Sequence, residues 1–297
     1  MTQALRDGGF TDIHCHGGGG FYFSDPSTEN IQKAIDIHRA SGTANIVASL
    51  VTADLVQVKE QIKRLIPFFQ SGEIAGIHLE GPYLSHRRCG AHKPSLLREP
   101  KLDEIKELIE IGNGAVVMFT IAPELPGALQ AISYMADNHV IAAIGHSDGT
   151  FEDAKAGIDA GAKVVTHFTN AMSKLHEGAH TFATAVLEDS RVHLELIVDG
   201  HHVPLDEVKK FFDLAGNRLV LITDAMSAAG SQDGDYFIGD LEVEVKNSVA
   251  RLKGNGSLAG STLTMKRATE VAQSAGISEA DILHSSSVAP LNLLKSR

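Results

Sequence analysis

Along the chain, short apolar runs rich in Val, Ile and Leu recur between longer stretches whose apolar residues are spaced three and four apart. The short runs are Phe10–His14, Asn45–Leu50, Ile74–Leu79, Ala115–Thr120, Val140–Ile144, Lys163–Thr166, Leu194–Val198 and Leu219–Ile222. Most do not alternate, as expected of parallel strands covered on both faces. The longer stretches are Glu29–Ser41, Leu55–Phe69, Asp103–Ile111, Ala128–Asn138, Thr150–Ala160, Thr181–Glu188 and Asp206–Ala215. Their spacing predicts amphipathic helices. Gly42, Gly112, Gly161 and Gly216 fall where helix C-terminal caps belong. Eight strands alternating with helices predict an α/β chain folded as a closed (β/α)8 barrel of the TIM type. An open doubly wound sheet is the competing arrangement, but no Gly-x-Gly-x-x-Gly follows the first strand. One segment differs: Tyr236–Lys253 alternates between Gly-rich turns and predicts a β-hairpin inserted after strand eight. Two helices follow, about Thr262–Ala275 and Ser278–Leu294. No repeat or long linker interrupts the chain, so residues 1–297 are expected to form one barrel domain with the 236–253 insertion.

Composition narrows the functional classes. Hydrophobic residues make up 43% and charged residues 21%, enough for a sizeable core. The formal net charge of −11 argues against nucleic acid as a partner, because phosphate neutralisation needs clustered Lys and Arg. No apolar run approaches the roughly 18 residues of a membrane span. The polar start, Met1 to Gly9, does not resemble a signal peptide. Two cysteines, Cys15 and Cys89, fit a reducing, cytoplasmic setting without a disulfide framework. The unusual figure is 15 histidines with no Trp.

The histidines acquire meaning once set on the strands. His14 and His16 end strand one, Glu80 strand three, His146 strand five, His167 strand six and Asp224 strand eight, while His202 follows strand seven. All lie on the C-terminal side, where barrel active sites are built. A single His at a strand end is ordinarily a hydrogen-bonded packing residue, and an Asp there an ordinary helix cap. Six strand ends converging are not accounted for that way. On a strand, His14 and His16 share a face, so both imidazoles point to the barrel interior and Cys15 points to the helix layer. Gly17–Gly20 then opens backbone space beside the site. Neutral imidazoles with a carboxylate suit Zn2+ or Fe2+, and fewer than four protein ligands per ion leaves a position for water.

With these residues in place, the segments TDIHCHGGGG, GIHLEGPYLS, GAHKP, IGHSDGTFEDA, THFTNAMS, VDGHHVP, LITDAMSAAG and LAGSTLTM resemble the motif series of the N-acetylglucosamine-6-phosphate deacetylases, metal-dependent amidohydrolases. The likeness runs from about Phe10 to Leu294. It implies that Glu80, His146 and His167 hold a principal ion, and that His14 and His16 help to hold a second with Glu80 bridging. It implies Asp224 as general base and acid. Ala91, His92, Asn170, Ala171, His202 and the Leu258-Ala259-Gly260 turn would contact the sugar phosphate. In the implied reaction Asp224 takes a proton from water activated by one or two ions per subunit, the metal and His92 stabilise the oxyanion, and acetate and an amino-sugar phosphate are released. A homodimer in amino-sugar catabolism is implied, with neither nucleic acid nor membrane as partner. The competing readings are an amidohydrolase acting on another N-acetylated amino-sugar phosphate or a cyclic amide, and a truncated, weakly active binding protein. A carboxylated-lysine site is disfavoured, since Glu80 takes the bridging place and no Lys ends strand four.

Two departures from the family pattern stand out. Relatives place an Arg about ten residues after the strand-six His, reaching a neighbouring subunit's phosphate. Here residues 173–180 hold no Arg, leaving Lys174, His176 or His180 as substitutes without a bidentate fork. Relatives also carry a small β-sandwich built from both flanks, largely absent between Met1 and Arg297, and its loss is expected to bare apolar barrel surface.

Overall fold

The computed structural model describes residues 5–297. Strand β1 (Phe10–Cys15) leads into a small ladder of β2 (Gly17–Gly18) and β3 (Phe21–Tyr22). Helices and strands then alternate: α1 (Thr28–Ala40), β4 (Thr43–Val51), α2 (Leu55–Ser71), β5 (Gly76–Glu80), α3 (Leu102–Gly112), β6 (Val116–Ile121), α4 (Ala128–Asp137) and β7 (Ile141–Ile144). They continue through α5 (Phe151–Asp159), β8 (Val164–Val165), α6 (Phe182–Glu188), β9 (His193–Ile197), α7 (Leu205–Ala215) and β10 (Leu219–Ile222). Strands β1, β4, β5, β6, β7, β8, β9 and β10 make one eight-stranded sheet in that order, every pairing parallel. Just beyond β10 the sheet returns to β1. Asp224 N–H donates to His14 O at 2.9 Å and His16 N–H to Ala225 O at 2.8 Å, nearly closing the barrel. The eight strands and seven intervening helices predicted from the apolar spacing are all present.

Two apolar layers hold the barrel. Ile46, Leu79, Phe119, Ile144 and Leu196 point outward and bury against Ile35, Ile62, Leu65 and Ile132 of the helices. Ile13, Val47, Val117, Val164 and Val220 fill the interior, joined by Leu293 and Leu294 near the C-terminus. The β1–β4 ladder slips in the middle: Asp12 pairs with Ile46 and Cys15 with Ala48, three residues against two. Such a bulge re-aims side chains. Here it lets Ile13 join the interior cluster while the next residue, His14, faces the site.

Three details differ from the pattern-based expectation. The segment after β10 is not a hairpin but three antiparallel strands, β11 (Gly234–Ile238), β12 (Leu241–Lys246) and β13 (Val249–Leu252). Two two-residue turns separate them. Asn247 and Ser248 carry φ of 52° and 62° in the second, the left-handed pair that suits strand twist. Gly112 lies inside α3, and Asn113 takes the left-handed cap at φ 46°. After α8 (Met265–Ser274), the expected last helix is broken into α9 (Glu279–Leu283), a π turn (His284–Val288) and α10 (Ala289–Lys295). Ser285 and Ser286 hydroxyls donate back to Asp281 O and Ile282 O at 2.7 and 2.6 Å, and Pro290 has no N–H to offer the preceding turn.

Candidate active site

The C-terminal strand ends carry the polar residues that the strand pattern placed there. His146, His167 and Asp224 have φ of 47°, 28° and 46°, and Thr169 and Ala171 of 69° and 51°. Left-handed backbone costs a non-glycine residue of order 1–3 kcal/mol and persists only where surrounding structure fixes it. Hydrogen bonds just beyond the strand ends do so here: Ser261 N–H donates to Asp224 O at 2.7 Å, and Phe168 N–H to Glu195 O at 2.8 Å. Gly260 itself has φ 60°, and a Cβ there would press to 2.9 Å from Asp224 O.

The donor atoms group into two triangles. Glu80 Oε1, His146 Nε2 and His167 Nε2 lie 3.1, 3.1 and 3.0 Å apart. His14 Nε2, His16 Nε2 and Asp224 Oδ1 lie 3.1, 3.5 and 3.3 Å apart. Bonds of about 2.0–2.1 Å to a tetrahedral ion set neighbouring donors about 3.3–3.4 Å apart, so both triangles have the edge length of an ion's ligand face. Glu80 sits between them, with Oε2 at 3.3 Å from His16 Nε2. The residues therefore fit a metal centre in donor type, spacing and burial.

The outer imidazole nitrogens agree. His14 Nδ1 is 2.9 Å from Glu195 Oε2, and His146 Nδ1 is 2.7 Å from Arg88 O. A proton held on Nδ1 by such an acceptor leaves Nε2 free as a ligand. Electrostatics point the same way. Burial would raise Glu80, but the imidazoles of His14, His92 and His146 outweigh it and hold the carboxyl well below its usual range. Burial opposes Asp224 likewise, and His14 and His16 bring it down to about 2. Burial would lower His14, yet Glu195, Glu80 and Asp224 raise it well above an ordinary imidazole. Carboxylates that draw a proton onto His14 would equally draw a divalent cation between the rings.

A cavity of about 290 Å3 opens above these groups. His16, Glu80, His146, His167 and Asp224 form its floor, and Ala91, His92, Asn170, Ala171, His202, Leu258 and Gly260 line its walls. His14 lies behind His16, fully buried. Ala259 turns away into the apolar cluster beneath β11–β13, where its N–H donates to Ala250 O at 3.2 Å. His92 Nδ1 is 2.8 Å from Thr52 Oγ1, and its Nε2 is 3.3 Å from Glu80 Oε2. Burial lowers His92 to about 4, so its ring is neutral. His202 Nδ1 is fixed at 2.7 Å from Asp199 Oδ2, while His201 is exposed. The space expected beside Gly17–Gly20 is already occupied by protein: a Cβ on Gly17 would meet Phe21 O at 2.2 Å.

Several contributors escaped the sequence reading. Glu195, fully buried on β9, accepts from His14 and, at 3.1 Å, from His167 N–H. Its only signal was a charge at an inward position of the run HLELI. His78 lies below Glu80 and bonds Ser49 Oγ at 2.9 Å and Thr120 Oγ1 at 2.8 Å, continuing to Thr166 Oγ1 at 2.8 Å. Arg87 and Arg88 enter the cavity wall from the loop after β5. Lys174, His176 and His180 do not line it.

The amidohydrolase family profile matches residues 8–291. An N-acetylgalactosamine-6-phosphate deacetylase of Escherichia coli O157:H7 is 36% identical over 96% of this chain and 77% of its own length. An N-acetylglucosamine-6-phosphate deacetylase of Vibrio furnissii is 34% identical over 87% of this chain and 66% of its own, just under two thirds. Among solved structures, the N-acetyl-D-glucosamine-6-phosphate deacetylase of Mycobacterium smegmatis, in complex with N-acetyl-D-glucosamine-6-phosphate, superposes with TM-score 0.93 at 43% identity, covering 97% of this chain and 77% of that one. The Thermotoga maritima N-acetylglucosamine-6-phosphate deacetylase gives TM-score 0.89 at 30% identity, over 99% and 81%.

Proposed function

Since the chain belongs to the metal-dependent amidohydrolase family, among the deacetylases of N-acetylated amino-sugar 6-phosphates, we propose that it hydrolyses the acetamide of N-acetyl-D-glucosamine 6-phosphate to D-glucosamine 6-phosphate and acetate. The observation that carries this reading is the pair of donor triangles, 3.0–3.5 Å on each edge, at the floor of the cavity. On this reading Glu80, His146 and His167 would hold a principal ion, and His14 and His16, with Glu80 beside them, would help to hold a second. A divalent ion held there, Zn2+ or Fe2+, would lower the pKa of a water and polarise the acetamide carbonyl. Asp224, ionised at neutral pH, accepts the attacking water's proton and returns it to the nitrogen as the C–N bond breaks. The water oxygen forms the new bond to the carbonyl carbon and leaves in acetate. His92, neutral, presents Nε2–H to the oxygen on which negative charge develops. Asn170, Ala171 and His202, with Ala91, Leu258 and Gly260, seat the sugar phosphate.

A sugar-phosphate substrate, and the free thiols of Cys15 and Cys89, fit a cytoplasmic enzyme. Among the described residues, no helix is long and apolar enough to cross a membrane. The N-acetylgalactosamine-6-phosphate relative supports a second reading, that epimer as substrate. The test is acetate release from both phosphorylated epimers and from unphosphorylated N-acetylglucosamine, before and after chelation and with metal restored. Chelator-sensitive release from a phosphorylated epimer is expected. No release from any of the three by metal-replete protein would reject the reading.

A further inference from the structure

The substrate's phosphate is a dianion near neutral pH, and the chain as a whole carries −11. Its own field repels such a ligand, so a local cationic surface must hold the phosphate. Among the described residues, Arg87 and Arg88 are the only Lys or Arg side chains in the cavity wall. They sit on a short 3-10 turn, His86–Arg88, and converge on one carboxylate. Arg87 Nη1 lies 3.3 Å from Asp148 Oδ2, and Arg88 Nε lies 3.0 Å from Asp148 Oδ1. Two guanidiniums sharing one carboxylate leave a net charge of +1. Arg88 bonds Asp148 through Nε, and its terminal nitrogens bond none of the described residues.

Position matches charge. Ser147, the neighbour of Asp148, donates its N–H to Ala171 O at 3.1 Å, which ties the Arg-bearing corner to the Asn170–Ala171 turn. The Arg88 carbonyl accepts from His146 Nδ1 at 2.7 Å, which fixes the start of the same corner to the donor triangle. Resting on the deacetylase reading above, we propose that Arg87 and Arg88 form an intrasubunit clamp for the 6-phosphate, with Asp148 holding both guanidiniums in place. Arg suits this task because its planar fork matches phosphate oxygens in pairs. The clamp lies within one chain, and residues 173–180 contribute no Arg.

The test uses the metal-replete full chain carrying R87A/R88A, and a second variant, R87K/R88K, that keeps charge without the fork. Two quantities are read: kcat/KM for N-acetylglucosamine 6-phosphate relative to N-acetylglucosamine, and binding of inorganic phosphate by calorimetry. A charge-assisted contact is worth about 10- to 100-fold in affinity. The double Ala variant should cut the preference for the phosphorylated sugar by at least about tenfold, through KM rather than kcat, and weaken phosphate binding similarly. The Lys variant should recover part of both. Preference and phosphate binding both unchanged in R87A/R88A would overturn the clamp. Wild-type protein that deacetylates neither sugar yet binds phosphate through the pair would reject the deacetylase reading and support the anion site.

Discussion

Glu195→Gln isolates what a buried carboxylate behind the donor triangles contributes. Glu195 is fully buried, and its Oε2 accepts from His14 Nδ1 at 2.9 Å and from His167 N–H at 3.1 Å. Truncation to Ala would strand two buried donors, at about 1–3 kcal/mol each, and confuse folding with metal binding. Gln keeps the volume and one acceptor oxygen. It removes the negative charge that favours Nδ1–H on His14 and makes its Nε2 a better ligand. Loss of such an outer acceptor typically costs 10–100-fold in metal affinity, about 1.4–2.7 kcal/mol. The loss should fall on the ion that His14 and His16 are proposed to hold. An ion at the proposed Glu80, His146 and His167 site should be less affected, because His146 is oriented by Arg88 O instead. Competition with a chelator of known affinity, with metal per chain counted by mass spectrometry, separates the two. Wild-type affinity and stoichiometry in Glu195→Gln would show that the Glu195–His14 bond does not tune metal binding.

Three further outcomes are expected. Glu80→Gln should abolish tight metal binding and activity together, because Glu80 touches both triangles and an amide is a far poorer ligand; full metal content in that variant would refute its role. Asp224→Asn should lower kcat by at least about 100-fold in metal-loaded protein, since an amide cannot accept the water's proton; near-normal turnover would place the base elsewhere. Asp12 is buried, and burial outweighs its bonds from Thr223 and His14 to raise its carboxyl from 3.8 to about 6. The folded state then binds more protons than the unfolded state between those values, so this group's contribution falls as pH rises from about 4 to about 6 and is flat above. The difference, 6 minus 3.8, amounts to about 3 kcal/mol. Asn can accept the backbone N–H groups and donate to Thr223 Oγ1, so the gap between wild type and Asp12→Asn in urea unfolding should shift by that order over this range. A pH-independent gap would refute the burial argument.

The barrel was legible because parallel strands buried on both faces leave apolar runs that helices punctuate at regular intervals. The metal-type donors were legible for a related reason: each closes such a run, and a run's end fixes both the rim and the inward direction. For His14 and His16 the shared-face argument holds locally, although the bulge between Asp12 and Cys15, invisible in the pattern, is what turns His14 toward the site. Glu195 and His78 were missed because they lie within runs read only for their apolar neighbours. Their value comes from partners 181 and 29 residues away in sequence, His14 and Ser49. The insertion was misjudged as a hairpin because alternation reports the faces of a strand, not how many turns interrupt it.

The donor triangles and the β5–α3 loop occupy different kinds of backbone in this chain, and that difference limits what a sequence can reveal. His146, His167 and Asp224 hold left-handed backbone that their own propensities disfavour. Hydrogen bonds at the barrel rim hold it there, so these donors are recognisable from the strands that carry them. Arg87, Arg88, Ala91 and His92 come instead from the loop between β5 and α3, which no periodicity describes. That loop is tied to the site by His146 Nδ1 to Arg88 O and by Arg88 to Asp148. A loop fastened at those points can change the contacts it makes in the cavity without moving the donor triangles. Substitutions at Arg87 or Arg88 should therefore alter substrate preference before they alter metal content.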